Sequence, residues 1–363
     1  MEKKVIIFMP SIEGGGVEKN LFIISNYLAS KVKKLSLITI SKKYRKKFKK
    51  PIRFISPSSE TWDKFGRRIK YFLALIILIR EISLDKNVTV FSFQANIYCI
   101  IICKIFSVRV ISRSNSAPIG WSKNSIKKLI FKYFLKKADK TVVNSIEFKK
   151  DLKKEFNVNA KCIYNPLDTN EIYRKSKINY KKYFKSEKKL RILNIGRFTE
   201  QKDQITLLKS LNYLKNKIKF EAVIVGKGIE KTNLLNFIKD NDLEKNVSIL
   251  EFLNNPYPII KESDLFILTS KYEGLPNVLL EALVLKKMII SSNCRTGPKE
   301  ILLNGKAGLL FNVGDHVQLY KKILYYVKNK KKCSKMIKIG IKNLNRFEKK
   351  KNLEKYLHLI ISK

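Results

Sequence analysis

At 363 residues and 45% hydrophobic content, the chain is long enough to bury two cores of ordinary size. Its 76 lysines and arginines against 30 acidic residues leave a formal net charge of +46, which points to an anionic partner: phosphorylated substrate, anionic membrane surface or nucleic acid. Five scattered cysteines without CxxC spacing fit a reducing, cytoplasmic setting, and two histidines argue against both zinc catalysis and a Ser-His-Asp triad.

The first predicted strand is Val5–Met9, with no signal peptide expected before it. A glycine triplet, Gly14, Gly15 and Gly16, then leads into a predicted helix from Val17 to Ala29. Strand, glycines and helix start make a backbone-lined pocket that a ligand can approach closely. The spacing is neither a Walker loop nor the dinucleotide fingerprint. Glu18, on the first helical turn, reads either as a capping charge or as a contact to acceptor hydroxyls.

Further strands are predicted at Leu35–Ile40, Val88–Phe93, Val108–Ser112 and Lys140–Asn144, with helical segments between them. This alternation implies a doubly wound parallel sheet, in which ligands bind beyond the carboxyl ends of strands. Arg113 and Asn115, in the polar segment Ser112–Trp121, are therefore candidate contacts. Trp121 and the basic helix behind it read either as a membrane-surface element or as a core-facing amphipathic helix. The apolar runs Tyr71–Ile79 and Ile97–Phe106 are too short to span a bilayer and are expected as buried helices. The Asn-Pro step in Cys162–Tyr173 and the lysine-rich stretch on to Lys189 read as an inter-domain linker.

A second alternating set follows: strand Arg191–Gly196, helix Ile205–Lys215, strand Phe220–Gly226, helix Lys231–Lys239 and strand Asn246–Leu250. Two α/β domains facing across a cleft are expected. Gly196-Arg197 ends the first of these strands and Lys202 precedes its helix, so both cations suit a diphosphate. Gly226 and Gly228 form another strand-to-helix turn, but Lys231 stands where a dinucleotide fingerprint needs its third glycine. Asp240-Asn241-Asp242 reads as helix termination rather than a metal-binding Asp-x-Asp.

The segment Asp264–Leu285 reads as a buried strand, a polar turn and an apolar helix from Asn277. Glu273 stands on the turn; Glu281 lies about one helical turn inside, interrupting an apolar face where a carboxylate needs a partner. Pro276 near the first helical position suits a helix start.

These segments together resemble the retaining glycosyltransferases of family 4, which have the GT-B fold. The likeness rests on GGGVEK (Gly14–Lys19), YNPLD (Tyr164–Asp168), GRFTEQKD (Gly196–Asp203), VGKG (Val225–Gly228), YEGLPNVLLEAL (Tyr272–Leu283) and GPKEILLNGKAGLLF (Gly297–Phe311), and it covers nearly the whole chain. It implies two Rossmann-like domains, residues 1–168 for the acceptor and 169–346 for the nucleotide sugar, with 347–363 as a helix crossing back to the first. Arg197 and Lys202 would hold the donor diphosphate and Glu281 the ribose. Glu273, with the amides after Gly274 through Leu275, Pro276 and Asn277, would hold the transferred sugar, and Gly196, Gly226 and Gly228 would line the donor site.

No metal or other cofactor is implied, because those cations and the helix termini neutralise the leaving phosphate. Many relatives carry a His after the strand near Ser112; here the segment is SRSNS, and Arg113 or Asn115 stands in its place. The resemblance further implies transfer of a hexose or N-acetylhexosamine to a saccharide on a diphosphate lipid, in surface polysaccharide or oligosaccharide biosynthesis. Such a protein would be peripheral, on the cytoplasmic face of an anionic membrane. The other readings are a GT-B sugar-nucleotide epimerase or phosphorylase, and a polyanion-binding protein. The last is disfavoured, since the charge is distributed and no nucleic-acid motif is present.

Overall fold

The computed structural model describes residues 3–115, 125–178 and 182–362, so the expectation for Trp121 lies outside the described residues. The chain divides into two units, Met1–Pro166 with Lys349–Lys363, and Leu167–Glu348. These limits fall two residues from those expected at both junctions.

The first unit runs β1 (Lys4–Phe8), α1 (Gly16–Leu28), β2 (Lys34–Ile38), β3 (Ile52–Ile55), α2 (Arg67–Leu84), β4 (Thr89–Ser92), α3 (Asn96–Ile105), β5 (Arg109–Arg113), α4 (Ser125–Lys137), β6 (Lys140–Val143), α5 (Ile146–Asp151) and β7 (Ala160–Cys162). Among the described residues its sheet is wholly parallel, in the order β3-β2-β1-β4-β5-β6-β7. Apolar strand residues face both ways, as a sheet covered on both sides requires. On one face, Leu21, Ile24 and Leu28 of α1 share a core with Leu353, Tyr356, Leu359 and Ile360 near the carboxyl end of the chain. On the other, α2, α3, α4 and α5 pack through Leu78, Cys99, Leu135 and Phe148.

The second unit continues with α6 (Thr169–Lys175), β8 (Leu190–Ile195), α7 (Gln204–Leu214), β9 (Phe220–Val225), α8 (Lys231–Asp240), β10 (Val247–Leu250), α9 (Tyr257–Glu262), β11 (Leu265–Leu268), α10 (Asn277–Val284), β12 (Met288–Ser292), α11 (Pro298–Ile301), β13 (Leu309–Phe311), α12 (His316–Lys328) and α13 (Lys330–Lys342). Its parallel sheet is ordered β10-β9-β8-β11-β12-β13. The final helix, α14 (Lys349–Ile361), belongs to the first unit and lies against α1.

The stretch expected as a linker is partly helix. Asp168 caps α6 by accepting the Glu171 amide at 2.9 Å, and α6 packs on α9 and α10. Helix α8 stops at Asp240, and Asp242 takes a left-handed φ of 48°, which is the termination expected of Asp240-Asn241-Asp242. The apolar run Tyr71–Ile79 is not buried all round: within α2, Ala74 and Leu78 face the core while Phe72 and Ile76 face water. Among the described residues no helix is long and apolar enough to cross a membrane.

Candidate active site

In the second unit the strand order reverses between β8 and β11, because the chain runs outward to β10 and then returns beside β8. Loops at the carboxyl ends of two such strands diverge and leave a crevice. That reversal brings the loop after β8 (Gly196 to Asp203) beside the loop after β11 (Thr269 to Pro276). They are 73 residues apart, but Asn194 in β8 donates to the Ile267 carbonyl of β11 at 2.8 Å.

The two loops are sewn together. Lys271 N–H donates to the Gln201 carbonyl at 2.8 Å, the Gln201 amide donates to the Tyr272 carbonyl at 2.9 Å, and the Thr269 hydroxyl donates to the Lys202 carbonyl at 2.9 Å. The result is a Lys202 ammonium 2.5 Å from Glu273 Oε1, with both side chains largely buried. The same carboxylate oxygen accepts the Ser270 hydroxyl at 2.6 Å, and the Glu273 carbonyl accepts the Thr296 hydroxyl at 2.5 Å. Ser292 in turn donates to the Ser270 carbonyl at 2.6 Å. Glu273, only 6% exposed, is thus a fixed charge with both its carboxylate and its main chain anchored. Asp203 assumes a left-handed φ of 48° just after Lys202, and Gln204 donates to the Arg197 carbonyl at 3.1 Å. Burial raises the Asp203 carboxyl, opposed by its bond from Thr206.

Arg197 is exposed beside this pair, its guanidinium 3.4 Å from the Gln201 side-chain oxygen. An exposed guanidinium beside the buried Lys–Glu pair offers a planar fork of donors suited to phosphate. Pro276 occupies the position preceding α10 without a side-chain cap, and Asn277 opens the helix. Glu281 is 7% exposed among Leu279, Leu280, Ala282 and Leu283, a carboxylate held inside an apolar helix face.

Glycines permit the close approaches. A Cβ on Gly226 would sit 1.9 Å from the Gly196 carbonyl oxygen, and one on Gly228 would sit 2.2 Å from that of Phe198. Phe198 is hydrogen-bonded on both sides to this turn, its amide to the Lys227 carbonyl at 2.9 Å and its carbonyl to the Glu230 amide at 3.1 Å. The third close approach involves Gly297, which has φ +85° and whose Cβ would stand 2.2 Å from the Gly274 carbonyl oxygen. Gly274 and Leu275 are both buried under it.

In the sequence Ser270, Ser292 and Thr296 carry no signal for this site, and Gln201 and Gly297 stand out only as members of GRFTEQKD and GPKEILLNGKAGLLF. Small polar residues at strand ends are too common to stand out, although Gly297 carried a signal in Gly-Pro ahead of a short helix. Cys294 also belongs here: burial, and next the Glu273 charge, push its thiol up to about 12, so it stays protonated.

In the first unit the glycine loop follows β1, again where the strand order reverses. Gly14 takes φ +81°, Gly15 precedes α1, and Gly16 is its first residue. Glu18 is buried and accepts the Glu13 amide at 3.4 Å, so it acts as a capping charge on this loop. Glu13 itself is paired with Arg67 through two hydrogen bonds. Arg67 offsets the Glu13 charge, which leaves Glu18 as the carboxylate beside the loop amides. Burial raises the Tyr44 hydroxyl pKa, with Glu18 adding to it, which keeps a neutral donor beside the loop.

Arg113 departs from the expectation. It is 1% exposed: Nε donates to the Tyr356 hydroxyl at 2.9 Å, Nη2 to Asn165 Oδ1 at 2.8 Å and Nη1 to Asn115 Oδ1. Its guanidinium also lies over the Phe93 ring, 5.2 Å from the centroid. Charge this deep is stabilised only by such partners, so Arg113 clamps α14 to the end of β5 instead of facing a ligand. Asn115 is half-buried, donating to the Phe93 carbonyl at 3.1 Å.

Residues 175–343 match the sequence family described as Glycosyl transferases group 1. An uncharacterized glycosyltransferase of Methanocaldococcus jannaschii is 31% identical over 252 residues, 64% of this chain; the chain spans 62% of that protein's length. The N-acetylgalactosamine-N,N'-diacetylbacillosaminyl-diphospho-undecaprenol 4-alpha-N-acetylgalactosaminyltransferase of Campylobacter jejuni is 28% identical over 335 residues, 88% of each chain. Among solved structures, Anabaena HepE in complex with UDP and glucose superposes with a TM-score of 0.81 at 16% identity, over 99% of both chains. The fold is GT-B.

Proposed function

We propose that the chain is a glycosyl transferase of the group 1 family that residues 175–343 match, and that it moves a hexose or N-acetylhexosamine, with retention, from a nucleoside diphosphate to a lipid-linked saccharide. The observation that carries this is the Lys202–Glu273 pair, fixed by Ser270 and Thr296 where the β8 and β11 loops diverge. Lys202 and the exposed Arg197 neutralise the departing diphosphate, the role a divalent cation plays elsewhere, so that no metal is required. Glu281 holds the ribose hydroxyls, Glu273 orients the sugar, and the start of α10 adds amide donors. The leaving phosphate oxygen takes the proton of the acceptor hydroxyl. Catalysis is then electrostatic stabilisation and positioning, with no protein base.

The HepE structure holding UDP and glucose supports a uridine donor. The name of the Campylobacter relative, with its diphospho-undecaprenol acceptor, supports a saccharide acceptor on a lipid diphosphate, which fits polysaccharide or oligosaccharide assembly by a peripheral protein at the cytoplasmic face of the membrane. A thermal-shift screen of UDP-, GDP- and ADP-sugars tests the donor, with UDP-sugars expected to stabilise the protein. Transfer to a short-chain lipid diphosphate saccharide in the presence of EDTA, with the product's anomeric configuration read by NMR, tests the rest. An inverted anomer, an epimerised donor in the absence of acceptor, or complete dependence on added metal would overturn the corresponding part of the reading.

A further inference from the structure

Helix α2 is apolar on two opposite sides. Ala74, Leu78 and Ile82 face the core, whereas Ile69, Phe72, Ile76 and Ile79 are 43%, 65%, 49% and 37% exposed. At about 100° per residue these four fall within an arc of about 80°, a continuous outward stripe. A helix apolar all round is ordinarily buried. Isolated surface apolar residues need no explanation, but an aligned row of four large ones does. The stripe is bordered by exposed arginines, Arg68 at its start and Arg80 at its end.

The surface extends sideways. Helices α2, α3 and α4 cover the same face of the first sheet. On α4, Leu129 and Tyr133 are 67% and 58% exposed, with Lys128 and Lys132 exposed beside them. Apolar rows interleaved with cations on the outside of one helical layer are the composition of an element lying in a lipid–water interface. Charge decides between the possible occupants. A second copy of this chain would bring like-charged Arg68 and Arg80 together in a protein of net charge +46, whereas an anionic bilayer is attracted by the same charges.

We propose that the outer face of α2, extended by α4, is the surface on which this protein rests on an anionic lipid bilayer, with Phe72 and Ile76 entering the headgroup boundary. The proposal rests on the reading of the acceptor as lipid-linked, and it assigns that membrane contact to particular residues. The test is flotation of the full chain with phosphatidylcholine vesicles, with and without phosphatidylglycerol. The wild type is expected to float with anionic vesicles, and Phe72→Ser/Ile76→Ser to lose partitioning about tenfold or more. Arg68→Glu/Arg80→Glu should remove the preference for anionic lipid. Both side-chain sets are exposed, and thermal melts check that the variants remain folded.

Equal flotation of wild type and Phe72→Ser/Ile76→Ser would overturn the assignment. So would a concentration-dependent dimer that the same substitutions dissolve, since that gives the face to a second copy. Transfer to a water-soluble acceptor analogue separates this from the functional reading. Flotation without transfer would sink the proposed reaction and leave the surface standing, and transfer without flotation would do the reverse.

Discussion

Lys202 and Glu273 lie 71 residues apart in the chain and meet at 2.5 Å, Nζ to Oε1, because the strand order of the second sheet reverses between them. Two buried opposite charges, the carboxylate held also by the Ser270 hydroxyl, behave as a unit, and removal of either leaves the other uncompensated. Lys202→Met is therefore expected to reduce transfer about 100- to 1,000-fold and to destabilise the second unit. Glu273→Gln keeps a side chain for Ser270 and leaves Lys202 excess positive charge, so donor binding is retained while kcat falls. Steady-state kinetics with a fixed acceptor measures both. Wild-type kcat in Lys202→Met would remove the pair from the site.

Gly297→Ala tests whether the loop carrying Glu273 is held from above. Its φ of +85° disfavours any L side chain, and the added methyl would collide with the Gly274 carbonyl, 2.2 Å away. Backbone on backbone cannot yield as a flexible side chain can, so either Gly274 moves or the short helix α11 does. The expected outcome is a loss of stability of about 2–4 kcal/mol with a larger KM for the nucleotide sugar. Gly305→Ala provides the comparison: its φ is +93° but nothing lies within 4 Å of the new methyl, so backbone strain acts there without the collision. A Gly297→Ala protein with the same donor KM as Gly305→Ala would show that the contact does not position Glu273.

The segments that line the crevice of the second unit were legible in the sequence because each joins a buried strand to a helix through residues with a physical reason to be there. Gly196-Arg197, Gly226-x-Gly228 and Glu273 to Asn277 are short, contiguous and unusual for their surroundings. What stayed hidden depends on contacts across the sheet. Ser270, Thr296 and Gln201 are ordinary polar residues until two loops meet, and neither β3 nor β7 has a run long enough to separate it from flanking polar chain. The exposed face of α2 misled for the opposite reason. Its sequence is as apolar as a buried helix, and only the packing reveals which side has no partner.

Arg113 illustrates a residue type that suggests a ligand contact and a position that rules it out. Its three nitrogens are occupied by Tyr356, Asn165 and Asn115, and it joins the end of β5 to α14 across 243 residues of sequence. Arg113→Met is expected to cost about 3–5 kcal/mol of stability, since it removes the buried guanidinium from which Tyr356, Asn165 and Asn115 each accept a hydrogen bond. Tyr356→Phe removes one of these bonds and should cost about 1–2 kcal/mol. A double-mutant cycle from urea denaturation is expected to show strong coupling between the two sites. If Arg113→Met were as stable as wild type but bound acceptor poorly, the clamp would be wrong and a ligand contact right.

Lys287 offers a pH test remote from the chemistry. It immediately precedes β12, and burial lowers its pKa to about 8; Asp264 opposes that shift, while Arg191 and Lys261 reinforce it. The unfolded chain holds this proton up to about pH 10.5, so between pH 8 and that value the unfolded state binds more protons than the folded one. Stability contributed by this group therefore rises with pH across that window, and the penalty of burying the ammonium is fully present below pH 8. Asp264 is the counter-charge: burial pushes its carboxyl up, but the bonds from Arg191 at 2.8 and 3.1 Å outweigh this and hold it below the usual carboxylate range. It therefore remains an anion throughout the window. Lys287→Met should raise the Tm at pH 7, with a gain on the order of 1–3 kcal/mol that shrinks as the pH approaches 10. Thermal melts of the two proteins from pH 7 to pH 10 measure the difference directly, and parallel curves would mean that the ammonium is hydrated and no penalty exists.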